Sequence, residues 1–366
     1  MKNLFKLDWI ILTAVALLLL VGLLALYSLS FDGNSLNLTN FKKQLISLAI
    51  GMGALFFFAF YDYRAFNSNS TRLYFGVLFI LFAVVMWGKT VRGTTGWIGL
   101  GTFHFQPVEL AKLILIIFLA SFLSKKKTQL NVPVRIIASV VLTFIPVFLI
   151  LKQPDFGSSA IVVGVWGAML LVSGIDKKSM AALFLMGLLV STSGWFLLRD
   201  YQKERLVNFV KPYNDPKGSG YNVIQSMVAV GSGGITGKGL GHGSQSQLNF
   251  LPEKHTDFIF AVIAEELGFI GSIVIFLLFG ALFYRMKEIA GKARDNFGYL
   301  LSTGIMVMFF LQMLINIGMN IGVMPVTGVP LPFLSYGGSS LVIVLASVGI
   351  LESVHLRGMK KGVDLG

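Results

Sequence analysis

The sequence predicts an all-α polytopic membrane protein of about ten transmembrane helices, with a large extracytoplasmic loop between spans 7 and 8. Three observations predict this class. Of 366 residues, 55% are hydrophobic and only 13% are charged, and mean hydropathy is +0.77, values foreign to soluble domains. Ten windows are apolar for long enough to cross roughly 30 Å of hydrocarbon. Their apolar runs are continuous rather than alternating, which argues against a β-barrel.

The windows are 9–29, 44–61, 73–88, 107–124, 135–151, 158–174, 179–198, 258–284, 298–318 and 338–355. The first is followed by nine others, so it reads as an anchor and not as a cleaved signal. The chain 1–366 is expected to form a single integral membrane domain, with the long loop at about 199–257. Cysteine is absent, so no disulfide braces the loops and no thiolate serves as nucleophile or metal ligand.

Positive charge sets the expected orientation. With the N-terminus inside, the inner segments hold seventeen Lys and Arg and the short outer loops five. Both termini are therefore expected in the cytoplasm. The net charge of +13 mostly reflects this bias and favours anionic lipid headgroups. No motif supports nucleic-acid binding.

Three outer segments collect the unusual chemistry. The first, 88–107, carries glycines and closes on Pro107, which argues against a continuous helix; Trp97, Phe103 and Phe105 suit either an aromatic belt or a partly inserted loop. The second, 199–257, contains a glycine run from Gly231 to Gly243 that reads as a flexible turn or as backbone able to approach a phosphate. It is not a Walker motif, because Gly239 follows Lys238. Apolar residues scattered through this loop imply short amphipathic helices at the membrane surface. The third, 316–340, contains Pro325, Pro330 and Pro332, which would break a helix. Broken backbone at membrane depth is tolerated only inside protein or beside a wet cavity, so the three segments could form one outward-facing site.

Ionisable residues sharpen that expectation. Asp257 sits where the long loop meets a span, and a carboxylate so placed is a functional candidate. Glu109 and Lys112 lie three apart on one helical face and can pair, either at the site or as a structural ion pair. Asp155 interrupts the outer end of the fifth span, as a functional acid or as a helix cap. Glu265 and Glu266 read as packing or hydrogen-bonding groups between helices, and Glu352 and His355 as interfacial residues at the inner end of the last span.

The motifs GWIGLGTFHFQPVELAK (96–112), QPDFGSS (153–159), YQKERLVNF (201–209), GSGYNVIQSMVAVGSGG (218–234), LPEKHTDFIFAVIAEELG (251–268) and PVTGVPLPFLSYGGSS (325–340) occur in the order that characterises the SEDS proteins (shape, elongation, division and sporulation). The chain resembles that family over essentially its whole length. PVTGVPLPF looks like its RodA branch rather than its FtsW branch. The resemblance implies a peptidoglycan glycosyltransferase of the bacterial cytoplasmic membrane, acting in cell elongation and rod shape. It would join lipid II disaccharides and release undecaprenyl pyrophosphate at an extracytoplasmic site. It also implies a class B penicillin-binding protein, a transpeptidase, as partner.

The resemblance places the family's essential acid at Asp257, its paired acid and lysine at Glu109 and Lys112, the acid of its QPD motif at Asp155 and the arginine of its YQxxR motif at Arg205. Asp257 would then act as general base on the acceptor hydroxyl. Lys112 and Arg205 would stabilise the departing pyrophosphate. A divalent cation (Mg or Mn) could share that role through Asp155 or Asp257; whether one is needed is left open by the sequence. The alternatives are a lipid II flippase, which needs polar lining at both faces, and a noncatalytic scaffold for a transpeptidase.

Overall fold

A computed structural model of the chain describes residues 6–32, 35–91, 94–100, 103–125, 132–175, 181, 185, 187, 219–248 and 250–358. Eight of its helices are long and apolar enough to cross a membrane. They are α1 (Trp9–Ser28), α2 (Thr39–Phe60), α3 (Arg64–Trp87), α4 (Pro107–Ser124), α5 (Val132–Lys152), α9 (Ile259–Gly291), α10 (Asn296–Asn320) and α11 (Gly338–Gly358). A shorter apolar helix, α6 (Phe156–Val172), lies between α5 and the loop region. Two further helices, α7 (Ser219–Ser232) and α8 (Ser244–Gln247), belong to the long loop. Nine expected spans thus correspond to helices. The window 179–198 falls outside the described residues except for isolated positions.

Aspartate caps start three of the helices, because a carboxylate can take the N–H groups a first turn leaves over. Asp8 Oδ1 accepts from Ile10 N and Ile11 N of α1, both at 3.2 Å. Asp155 Oδ1 accepts from Ser158 N of α6 at 2.9 Å, and Asp295 Oδ1 from Gly298 N of α10 at 2.7 Å. Helix α4 instead begins with proline at its first position, where the missing N–H costs nothing. Helix α3 starts nine residues before its window, in the polar run RAFNSNSTR. That run is usable because Ser121 of α4 bonds Asn67 Oδ1 at 2.6 Å and Ser70 Oγ at 2.9 Å.

Helix α4 is buried on all sides, and Ile116, Met169, Leu301, Ile305 and Leu345 fill the middle of the bundle. Aromatic and aliphatic side chains of α3 and α5, among them Phe75, Phe79, Phe82 and Phe144, line an open apolar groove of about 780 Å³.

Two loop regions depart from expectation. Segment 88–107 contains an antiparallel sheet of β3 (Lys89–Val91), β4 (Thr94–Leu100) and β5 (Phe103–Phe105); a separate pair, β1 (Phe31–Asp32) and β2 (Ser35–Leu36), follows α1. The register Ile98↔Phe105 and Leu100↔Phe103 pairs β4 and β5 as the two arms of a hairpin. Glycine density hid these strands, since glycine lowers strand propensity but is favoured in turns.

The glycine run, expected as a flexible turn or phosphate cradle, is spliced into α9. At 33 residues α9 would be about 50 Å long at 1.5 Å per residue. It breaks at Gly268 (φ 67, ψ −161), a conformation essentially restricted to glycine. The loop satisfies the backbone around that break. Phe269 N and Ile270 N donate to Gly234 O and Ile235 O at 2.9 and 3.1 Å, while Lys238 N and Gly239 N donate to Glu265 O and Glu266 O at 3.0 and 2.9 Å. The approach is close enough that a Cβ on Gly237 would sit 2.2 Å from Glu266 O.

Candidate functional site

Asp257 closes a turn in which Thr256 N and Asp257 N both donate to Glu253 O at 3.1 Å. This turn is the platform of the site. The proline-containing segment after α10 holds it from one side: Tyr336 N donates to His255 O at 2.8 Å, and Ser335 Oγ to Thr256 O at 2.7 Å. Helix α2 holds that segment in turn. Gln44 Nε2 donates to Ser335 O, and Gln44 Oε1 accepts from Gly337 N, both at 3.2 Å. Ser339 Oγ accepts from Gln106 N and donates to His104 O, each at 3.1 Å. The hairpin, the start of α4 and the start of α11 are thereby joined.

These elements enclose a polar cavity of about 390 Å³. Its lining includes Asp257 and Asp155, with Lys43 and Asn40 from α2, Trp97 and His104 from the hairpin, Thr327 and Gly328 from the proline segment, and Ser339 and Ser340 from α11. Two acids named from the sequence therefore share one cavity. Asp155 is the helix cap that the sequence allowed, with Oδ1 capping α6, while Oδ2 faces Gln106 Nε2 at 3.5 Å. Burial pushes its carboxyl above the ordinary range, opposed by the Ser158 N–H and by the charge of Lys112. Gly328 lies beside Asp257, a Cβ there falling in ordinary contact at 3.5 Å from Oδ2, and its φ of 74° is the feature that favours glycine.

Glu109 and Lys112 do pair, with Nζ to Oε1 at 2.7 Å and both side chains at most 3% exposed. The described cavity wall includes neither. Lys112 lies close enough for its charge to act on Asp155. Among the described residues, the lysine on the wall is Lys43. Arg205 lies outside the described residues. Among the described residues no three His, Cys, Asp or Glu side chains converge as a metal site. For a cation in this cavity, Asp155 and Asp257 would be the carboxylate ligands, with phosphate and water supplying the rest.

Glu265 and Glu266 hold loop to helix, as expected of hydrogen-bonding acids. Glu265 accepts from Gln245 N at 2.9 Å, Ser246 N at 3.0 Å and Lys238 Nζ at 2.9 Å. Glu266 accepts from Ser28 Oγ at 2.5 Å and Gly241 N at 3.1 Å.

Sequence reasoning missed Gln44, Asn316 and Asn320, each at most 2% exposed. For Gln44 and Asn316 the signal was available: strongly polar side chains inside apolar windows, which require partners; Asn320 lies just past its window.

Comparison with known proteins agrees with this architecture. The family model FtsW/RodA/SpoVE, described as "Cell cycle protein", matches residues 8–359. The chain is 38% identical to peptidoglycan glycosyltransferase MrdB of Escherichia coli, covering 95% of this chain and 94% of that one. It is 40% identical to stage V sporulation protein E of Bacillus subtilis, covering 95% and 96%. Among solved structures, a chain from "Structural coordination of polymerization and crosslinking by a peptidoglycan synthase complex" superposes with a TM-score of 0.82 at 34% identity, covering 96% of this chain and 98% of that one. The rod-shape-determining protein RodA of Thermus thermophilus gives 0.71 at 29% identity, covering 95% and 96%. With full-length matches to the family model and to RodA-type relatives in sequence and structure, this chain belongs to the FtsW/RodA/SpoVE (SEDS) family, in its RodA branch.

Proposed function

We propose that the chain is a peptidoglycan glycosyltransferase that polymerises lipid II for cell elongation. The observation that carries this reading is the shared cavity: the acids of two separate sequence motifs, Asp257 and Asp155, line one polar chamber with Lys43. Asp257 accepts the proton of the acceptor sugar's O4 hydroxyl as that oxygen attacks the donor's anomeric carbon. The bond from that carbon to the pyrophosphate oxygen breaks, and the α-linked donor is inverted to a β linkage. Lys43 offsets negative charge as it builds on the departing pyrophosphate, with Arg205 in the same role by family resemblance. A divalent cation held by Asp155 and Asp257 would supply further charge neutralisation there.

The cavity is assigned to the outer face. It lies at one end of the bundle, about 31 Å along α10 from Asp295 to Asn316 at 1.5 Å per residue. The opposite end gathers Arg64, Arg285, Lys292 and Arg357, and positively charged ends face the cytoplasm. Both termini are then cytoplasmic, and the substrate is a lipid-linked sugar already translocated.

The partner is a class B penicillin-binding protein. It fits the complex to which the fold is similar, whose description joins polymerisation to crosslinking. Docking on the 199–257 loop, which leads into Asp257, would order the site. The test is synthesis of glycan chains from lipid II by the purified chain, alone and with its transpeptidase. Polymer should form and rise several-fold with the partner, together with hydrogen-exchange protection in that loop. A flippase or a scaffold would yield no polymer in either case.

A further inference from the structure

We infer that Asn316 is a positioning residue for the catalytic aspartate, with Asn320 as its support. The inference rests on the reading of Asp257 as the base and goes beyond it, because Asn316 touches no reacting atom.

Asn316 and Asn320 lie one helical turn apart near the end of α10, and both are fully buried. Asn316 uses both amide hydrogens on backbone. Nδ2 donates to Asp257 O at 3.0 Å and to Val329 O at 2.8 Å. It therefore clamps the carbonyl of the aspartate to the proline segment whose Thr327 and Gly328 form the facing wall. Asn320 Nδ2 donates to the same Asp257 carbonyl at 3.0 Å, while its Oδ1 accepts from Ala261 N at 3.0 Å.

That last pair of bonds has a specific consequence. Ala261 is four residues after Asp257, so in a continuous helix its N–H would donate to the Asp257 carbonyl. The Asn320 amide stands between the two groups and replaces that bond. Helix α9 thus starts after Asp257, leaving the aspartate in a turn at the cavity wall. Asn320 is itself steadied by Ser226 Oγ of α7, which donates to its carbonyl at 2.8 Å.

A backbone carbonyl that accepts two side-chain amides fixes the peptide plane, and with it the direction of the neighbouring Cα–Cβ bond. Reorientation of a general base by about 1 Å is enough to cost on the order of a hundredfold in rate. Substrate affinity, set by other walls of the cavity, should change little.

The experiment compares Asn316→Ala and Asn320→Ala with wild type in lipid II polymerisation, with thermal stability measured on the same samples. Asn316→Ala is expected to lower kcat at least about tenfold while KM for lipid II stays within about twofold. Asn320→Ala should shift kcat in the same direction by less, because Asn316 still holds the carbonyl. A second readout needs no turnover. The chain has no cysteine, so Asp257→Cys carries a single thiol, and its rate of modification by a methanethiosulfonate reports where that side chain points. Adding Asn316→Ala should change that rate at least about fivefold if the peptide plane is released. Unchanged kcat per folded molecule and unchanged thiol reactivity on Asn316→Ala would overturn the inference. If Asn316→Ala does not fold, the same two readings on Asn320→Ala decide it. Full activity of Asp257→Asn would instead remove the underlying reading of the base.

Discussion

The two ends of the bundle treat their charges in opposite ways. At the basic end, charged groups pair with one another. Arg285 Nε donates to Asp8 Oδ2 at 3.0 Å and its guanidinium also contacts Glu288. Glu352 accepts from Asp8 N at 3.0 Å, Arg357 meets Asp62 at 3.3 Å, and Tyr63 donates to Asp295 at 3.0 Å. At the other end, Asp155, Asp257, Lys43 and His104 are spread over the walls of a cavity. At the core of the first set, Asp8, Tyr63 and Glu352 are closed over by packing, whereas the second set lines a volume and can engage something that enters it. Glu352, expected at the interface, shows the contrast well: it is fully buried and belongs to the closed inner network.

The buried pair Glu109–Lys112 tests the comparison most severely, because it lies near the cavity but is closed like the inner network. Lys112→Met strands a buried carboxylate and is expected to cost roughly 3–5 kcal/mol of stability. Adding Glu109→Gln should restore most of it, as read by denaturation of the purified variants. Absence of coupling between the two substitutions would contradict a functional pair. Activity of the stable double variant then reports how much the Lys112 field on Asp155 matters.

Gly268→Ala comes next. Its Cβ would lie 2.3 Å from Gly237 N, and the required backbone conformation costs about 1–3 kcal/mol for a non-glycine residue. The loop should detach from α9, seen as faster hydrogen exchange at residues 234–239. Unchanged exchange there would show that the splice does not hold the loop.

Asp8→Ala should act on stability alone, by about 1.5–3 kcal/mol for the lost charged hydrogen bonds. Burial raises the Asp8 carboxyl, but hydrogen bonds from Arg285 and Ile11 N outweigh it and leave the group below 3.8. Its contribution is therefore present above pH 3.8 and is lost as pH falls through the lowered value. Wild type and Asp8→Ala should converge in stability on acidification, with polymerisation per folded molecule equal at neutral pH.

The helices were legible because hydrocarbon-length apolar runs leave few alternatives. Asp257 and Asp155 were legible because acids at the mouths of spans stand out against that background. The hairpin was obscured by its glycines. Splicing of the glycine run into α9 was not readable, because a broken helix and a continuous one share the same apolar pattern around Gly268. Asn316 carried a visible signal as a polar residue in an apolar window, with Asn320 four residues on and just past it, but only the structure shows that their amides meet the Asp257 carbonyl. Placement of Lys112 behind the wall rather than on it depends on which face of α4 turns inward, and a helix apolar all round gives no such cue.

The central claim is that the open cavity performs the chemistry and that Asp257 is its base. The most direct measurement is lipid II polymerisation by purified Asp257→Asn beside wild type, each with the transpeptidase partner and each shown to be folded. The amide is nearly isosteric and cannot accept the proton. The account predicts that glycan chains disappear while thermal stability and partner binding remain. Polymerisation near the wild-type rate by the folded variant would contradict it.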